Sequence, residues 1–310
     1  MLIIRPAHET DYEQIVALFN AQTGSNMSAD RYAADARNRP ADMDAVRVVA
    51  HLPDGRFAGY GFAGVDDEVE RNFTVTVRVD EACRGLGAGT GLLRALANWA
   101  RARGAARLEA TLNQRQAEQL GWAARRGFVT EGLVTRSELK LAGWQPDSFI
   151  SAVTAAEEGG IRFTTLAEAG ATEENLRRFH GLCKDLEHDV PGRAPKFPPY
   201  EAWRAHIETD PSWDPACVLL AVDGAEWVAL SFFEKQSDGS WYTRITGVHP
   251  AHRGRGLGTA IKVAAVRLAH ASDVPYISTY NHNVNAAMVA INRQLGYEAV
   301  HTLVQIHLPL

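Results

Sequence analysis

A mixed-sheet α/β fold, written twice as tandem copies of one α+β domain, is what this 310-residue chain predicts, and three observations carry the prediction. First, landmarks of unrelated kinds recur in the same order at a single offset of 169 residues. They pair Asp54-Gly55 with Asp223-Gly224, Val79 with Val248, Arg84 with Arg253, Gly87 with Gly256, Gly89 with Gly258, and Gly127-Phe128 with Gly296-Tyr297. Second, each copy alternates short β-branched or aromatic runs with apolar runs at helical spacing. Third, each copy carries a glycine- and arginine-rich phrase where a strand turns into a helix: CRGLGAGTG from Cys83 and HRGRGLGTA from His252.

Each copy reads strand, helical region, hairpin, strand, glycine turn, helix, strand, helix, strand. The openings IIRPAHETDYEQIVALFN and IRFTTLAEAGATEENLRRFH are each a strand followed by a helix. Thr10 and Glu13 fit a capping box, and Thr172 stands before acidic Glu173 and Glu174, as a helix start favours. Aligning Arg5 with Arg162 shortens the offset to 157, so the second copy holds roughly twelve extra residues before its hairpin. They fall around KDLEHDVPGRAPKFPPYEAW, whose prolines, charges and aromatics predict a covering loop rather than a core element. The Asp-Gly pairs turn hairpins. FTVTVRV and WYTRITGV are the strands ahead of the glycine phrases; GLLRALANWARARG and AIKVAAVRLAHASD are the helices after them. In the second copy YISTYN is a strand, and NAAMVAINRQLGY is a short helix that Gly296 stops. The boundary falls in KLAGWQPDSFISAVTAAEEGG, dividing a first domain, 1–145, from a second, 158–310.

Composition excludes several classes of function. With 46% hydrophobic and 22% charged residues the chain has the means for ordinary cores. A net charge of −5 opposes a broad nucleic-acid or anionic-membrane surface. Cys83, Cys183 and Cys217 are unclustered and lack metal-ligand spacing, so the expectation is free thiols in a reducing cytoplasm and no metal. No apolar run reaches the length of a membrane span.

The repeated phrase asks for a phosphate. Glycines at a strand-to-helix turn let backbone N–H groups approach a ligand, and the helix start adds unpaired donors and partial positive charge. Arginine adds bidentate phosphate recognition. Two nucleotide motifs are excluded by spacing: there is no G-x-x-x-x-G-K-[ST], and Thr259 stands where the dinucleotide fingerprint needs its last glycine.

Arg-x-x-Gly-x-Gly at Arg253, Gly256 and Gly258, and again at Arg84, Gly87 and Gly89, resembles the acyl-CoA signature of the GNAT superfamily of N-acetyltransferases, and the element order agrees over nearly the whole chain. The resemblance implies two tandem GNAT acyl-CoA N-acyltransferase domains. It implies that the turn holds the pyrophosphate of acetyl-CoA, the cosubstrate, while the preceding strand splays from its neighbour and pairs with the pantetheine arm. Val248, Arg253, Gly254, Arg255, Gly256, Leu257, Gly258 and Thr259 would form one cradle with Asn285. Val79, Arg84, Gly85, Gly87, Gly89 and Thr90 would form the other. The family's asparagine at the start of the last short helix is kept as Asn285, ahead of Leu295-Gly296-Tyr297. Asn292 occupies the position of the tyrosine that protonates the departing thiolate; in the first copy the two positions hold Gln116 and Ala123. The second copy is thereby expected to be the catalytic one and the first non-catalytic.

Transfer from a thioester to an amine needs a free amine, a polarised carbonyl and a proton for the thiolate. Candidate proton handlers are Glu234 on the hairpin arm and Tyr280, with His282 beside it. Arg244 and Thr246 share a strand face with Val248 by alternation and are candidates for the acceptor cleft. Acidic Glu187 and Asp189 in the insertion would favour a cationic amine, and Tyr200 and Trp203 would wall its pocket. The expected acceptor is the primary amine of a small molecule, with no nucleic-acid or membrane partner. The chain is expected as a monomer with an internal pseudo-dimer, or as a homodimer. The layout is similar to that of mycothiol synthase-like enzymes, without a motif that carries their substrate over. A non-catalytic acyl-CoA sensor or scaffold is the alternative, which the missing tyrosines favour and the elaborated acceptor segment opposes.

Overall fold

The computed structural model describes residues 2–38, 44–67, 72–145, 149–188 and 197–310. The first half runs β1 (Ile3–Pro6), α1 (Tyr12–Thr23), α2 (Ala29–Arg37), β2 (Ala45–His51), β3 (Phe57–Asp67), β4 (Asn72–Val79), α3 (Ala88–Arg101), β5 (Arg107–Asn113), α4 (Ala117–Ala124) and β6 (Val129–Lys140). After α5 (Ile150–Glu158) the pattern returns. It continues as β7 (Ile161–Thr165), α6 (Leu166–Ala169), α7 (Glu173–Glu187), α8 (Tyr200–Thr209), β8 (Val218–Asp223), β9 (Glu226–Lys235), β10 (Trp241–Val248), α9 (Leu257–Ala271), β11 (Tyr276–His282), α10 (Ala286–Gln294) and β12 (Glu298–Pro309).

The chain divides into two compact units, Met1–Glu131 with Val304–Leu310, and Gly132–Leu303. This differs from a single cut between 145 and 158. Most of β6 belongs to the second unit, where Lys140–Val134 pairs antiparallel with Tyr276–His282 of β11. The end of β12 belongs to the first unit, where the Leu310 N–H donates to the Ala106 carbonyl at 3.1 Å. Alternating patterns mark both segments as strands, but nothing local says which sheet a strand joins.

In the second unit the strand order is β7-β8-β9-β10-β11-β6, antiparallel except for β10 against β11. Alternation along β8 shows the two layers it separates. Leu219 and Ala221 enter the core under α5 and α9, whereas Val218, Leu220 and Val222 face α7 and α8. The first unit repeats the order β1-β2-β3-β4-β5, with β4 parallel to β5. There Ile15 and Leu18 of α1 pack on Val49 and Tyr60, while α3 lies close enough that a Cβ on Gly61 would meet Leu96 at 2.7 Å.

Local signals succeed where the chain itself supplies the partner. Gly55 and Gly224 take positive φ, 86° and 58°, in the hairpin turns, and Gly296 (91°) stops α10. The Thr172 hydroxyl caps α7, accepting from the Asn175 N–H at 3.3 Å. The capping box expected at Thr10 and Glu13 does not form. Asp11 is at the start of α1 instead, buried, accepting two bonds from Arg5 at 2.7 Å each and one from the His8 N–H at 2.7 Å. The paired guanidinium holds its carboxyl below the ordinary carboxylate range. The insertion is also corrected: its second part is α8, whose Trp203 and Ile207 are buried in the core with Phe179.

Candidate active site

The two phrases fold alike. In each, a 3-10 turn leads to two glycines in the left-handed region, and the second opens a long helix: Gly254 (78°) and Gly256 (75°) before α9, Gly85 (79°) and Gly87 (89°) before α3. A Cβ built on any of these four would meet nothing within 4 Å, so the space over each turn is open to a ligand. The first N–H groups of each helix face it without intrahelical partners. Such a turn fits an anion the size of pyrophosphate. Leu257 contributes only its backbone, since its side chain is 3% exposed in the core. Gly258 and Val248 pack together beneath the turn, a Cβ on the glycine standing 3.9 Å from Val248. Arg255 is turned away to Asp223 at 2.9 Å, and Arg253 donates through Nε to the Val248 carbonyl at 3.2 Å. Thr259 lies in the first turn of α9.

Both units have the splay. β10 pairs with β11 only from Trp241 to Thr243, although the strands continue to Val248 and His282. β4 pairs with β5 only from Asn72 to Thr74 and continues to Val79. The His249 N–H bonds to Val228 of β9, so by alternation the Val248 amide group faces the gap.

The polar walls differ between units. At the throat of the second, a bulge between Thr243 and Ile245 interrupts the β9–β10 register. It breaks the alternation expected of Arg244: Val248 packs with the core under α9, whereas Arg244 reaches Glu187 at the end of α7 (3.8 Å) and Glu234 on β9 (3.4 Å). Thr246 is taken up by the buried Ser231, hydroxyl to hydroxyl at 2.8 Å. Burial raises the Glu234 carboxyl above its ordinary range, Arg244 opposing and Asp210 adding to the shift. Tyr280 is half-buried, its hydroxyl 3.3 Å from His301 Nε2 and its ring 6.1 Å from that of Tyr242. His282 is packed against Gly132, where a Cβ would come within 2.2 Å of Nε2. Tyr200 and Trp203 stack around His180 and Phe179, a packing role for Trp203. Asp189 lies outside the described residues.

Asn285 caps α10, accepting from the Met288 N–H at 3.3 Å. Asn292, in the position of the missing acid, is buried; its amide donates to Asn281 at 2.6 Å while its own carbonyl oxygen has no partner. In the first unit Gln116 starts α4 but turns its side chain back to the Asn113 N–H at 2.9 Å. There the gap-facing carbonyl of Val79 accepts from the Gln22 amide at 2.9 Å, and Arg78 holds Gln22 at 3.2 Å. Thr90 accepts from Arg126 at 2.6 Å, a guanidinium stacked 4.1 Å from the Trp122 ring centroid, and Gly89 is closed over by the same Trp122. Arg84 leans on Glu81 and Glu118 at 3.6 and 3.7 Å.

Residues 12–128 match the Acetyltransferase (GNAT) family. Over 99% of its length the chain superposes on 95% of a GCN5-related N-acetyltransferase from Sphaerobacter thermophilus, with TM-score 0.68 and 18% identity. A tandem GNAT protein from the clavulanic acid biosynthesis pathway is matched over 100% of this chain and 98% of its own, with TM-score 0.64 and 19% identity. The family match thus covers residues 12–128 of the first half, and the whole chain has the fold of tandem GNAT proteins. The same fold recurs in the glucosamine N-acetyltransferase region of a fungal multi-domain GH3 beta-N-acetylglucosaminidase, at TM-score 0.72 and 14% identity; this chain spans 38% of that protein. No curated protein matches the sequence. The family match falls on the half that has Gln116 where the other has Asn285.

Among the described residues no group of three or more His, Cys, Asp or Glu is placed to hold a metal ion, and no helix is long and apolar enough to cross a membrane. Two features of the site escaped the sequence reading. The bulge at Arg244 has no local signature. The buried Lys262 had one, a lysine inside the apolar run AIKVAAV.

Proposed function

We propose that this protein transfers an acetyl group from acetyl-CoA to the primary amine of a small cationic acceptor, and that the second unit does the chemistry. One observation carries the reading: the throat of the second unit gathers Glu187, Glu234 and Arg244. At the positions 169 residues earlier, Val65 stands for Glu234 and Val75 for Arg244.

The cradle from Arg253 to Thr259 binds the pyrophosphate, with Gly254 and Gly256 giving the backbone its close approach. The open edge of β10 then pairs with the amides of the pantetheine arm. From Val248 back to Thr243 is five residues, about 16 Å of strand, which suits that arm fully extended and puts the thioester near the throat. Backbone N–H groups of β10 polarise its carbonyl. Glu234, raised by burial, accepts the proton of the acceptor ammonium. Glu187 and Glu234 outnumber Arg244 there, which favours a cation. The first unit is the non-catalytic partner; its cradle threonine is already engaged by Arg126.

The experiment is thiol release from acetyl-CoA across a panel of amines, comparing Gly256→Glu with Gly87→Glu. The first is expected to abolish turnover and the second to leave it within about twofold, because a carboxylate over the turn repels pyrophosphate only where pyrophosphate is used. Equal loss from both would end the assignment to the second unit. Coenzyme binding without turnover on any amine would instead favour the sensor.

A further inference from the structure

Beside the throat, the second unit holds a further group of polar side chains that neither the cradle nor the carboxylates at Arg244 account for. Leu139 and Ile277 enter the core under α9, so by alternation Arg136, Glu138 and Tyr280 lie on the opposite face of the sheet. Arg136 and Tyr280 are directly paired in the β6–β11 ladder, which sets their side chains next to one another. β10 and β11 part after Thr243 and Thr279, so Tyr280 is the first residue of β11 along the gap, and Arg136 stands one strand further out. The Tyr280 hydroxyl lies 3.3 Å from His301 Nε2. Among the described residues the Arg136 guanidinium has one ion-pair partner, Glu138 at 2.9 Å. One carboxylate takes at most two of a guanidinium's five N–H donors, so part of the fork stays available, and these four side chains are only partly buried. Arg244 differs, being shared already by Glu187 and Glu234. The repeat supplies a control. At the positions 169 residues away the first unit has Thr111 for Tyr280 and, from the end of the chain, Gln305 for Arg136, so the fold requires neither the phenol nor the guanidinium.

Resting on the reading of the second unit as the transferase, we propose that its acceptor is an ω-amino acid, with the amine at the throat beside Glu187 and Glu234 and the carboxylate on Arg136, Tyr280 and His301. An arginine, a phenol and an imidazole side by side supply the donors that a carboxylate takes, and the planar fork matches its two oxygens. The span sets the length of the acceptor. From the middle of the gap to β6 is one and a half strand spacings, about 7 Å, which an extended amino acid of roughly five or six carbons covers. An α-amino acid, whose amine and carboxylate share one carbon, is too short to reach both groups. Glu138 has two opposed effects. It orients the guanidinium, and it competes with the acceptor carboxylate for it.

The test is thiol release from acetyl-CoA by the full chain with 6-aminohexanoate and with hexylamine, compared by kcat/KM, with Tm as the check on folding. The wild type is expected to prefer the amino acid by about tenfold or more, the two differing only in the carboxylate. Arg136→Gln, which gives the second unit the residue of the first, should erase that preference and bring the two values within about twofold of each other, chiefly through KM. Glu138→Gln should strengthen the preference by roughly threefold, because the competing carboxylate is gone. An ion pair that served only the fold would make the two variants act alike, so the opposite signs are the signature, and Glu138→Gln carries the test if Arg136→Gln fails to fold. Equal use of the two amines by the wild type, a preference that survives Arg136→Gln, or one that Glu138→Gln weakens overturns the carboxylate site while leaving the transferase standing. Wild-type protein that turns over no amine overturns the functional reading first, and the acceptor assignment with it.

Discussion

The two units share strand order, splay and glycine turn, yet they put opposite chemistry around them. The second has Glu234, Arg244, Lys262 and Asn285 where the first has Val65, Val75, Leu93 and Gln116. Conversely, the first has Arg78 at the strand end where the second has Gly247. Arg78 lies over the Phe19 ring at 5.1 Å and ties Gln22 to the strand edge, whereas a Cβ on Gly247 would already be 2.8 Å from Leu186. At this position one scaffold is covered by the apolar Leu186, and the other is latched by the charged Arg78. A turn that binds an anion is not by itself an active site; the groups at the throat decide.

The comparison breaks most readily at Glu234. Glu234→Gln is expected to lower kcat by roughly 100- to 10,000-fold, and Val65→Gln in the first unit to leave it near wild type. The wild-type acid limb should lie above the ordinary carboxylate range, since burial raises the group and activity needs it deprotonated. Glu234→Gln should lose that limb; a limb that survives assigns the base elsewhere.

Deleting residues 304–310 removes the strand end that completes the first unit and nothing from the second. The expected outcome is loss of the first unit's cooperative melting with amine transfer retained, followed by calorimetry and activity on the same sample. Loss of activity along with that transition would show that the first unit is required for turnover.

A smaller effect is expected at Gly247. Gly247→Ala should cost about 1–3 kcal/mol of stability by overpacking Leu186, measured by denaturant unfolding. The smallest contrast is in the caps. Asn285→Ala should cost about 1 kcal/mol because its side chain bonds the first turn of α10. Gln116→Ala should cost less, its side chain serving Asn113 rather than the helix. Equal costs would remove the distinction between the two helix starts.

The repeat, the hairpin turns, the glycine cradles and the cap at Thr172 were legible in the chain because each rests on residues near one another or on a required φ. The ion pair at Asp11 was not, since its partner, Arg5, comes from the preceding strand. Likewise α8 read as loop until the aromatic core around Phe179 gave Trp203 a place to bury. Strand alternation put Arg244 with Val248, but one bulge turned it toward Glu187 instead. Local sequence thus set where strands, turns and helices begin. Which unit each closing strand completes, which carboxylates meet Arg244, and that Lys262 is buried without a counter-charge were settled by packing. These depend on groups far apart in the chain, whose desolvation and register arise only once the sheet and helices are assembled.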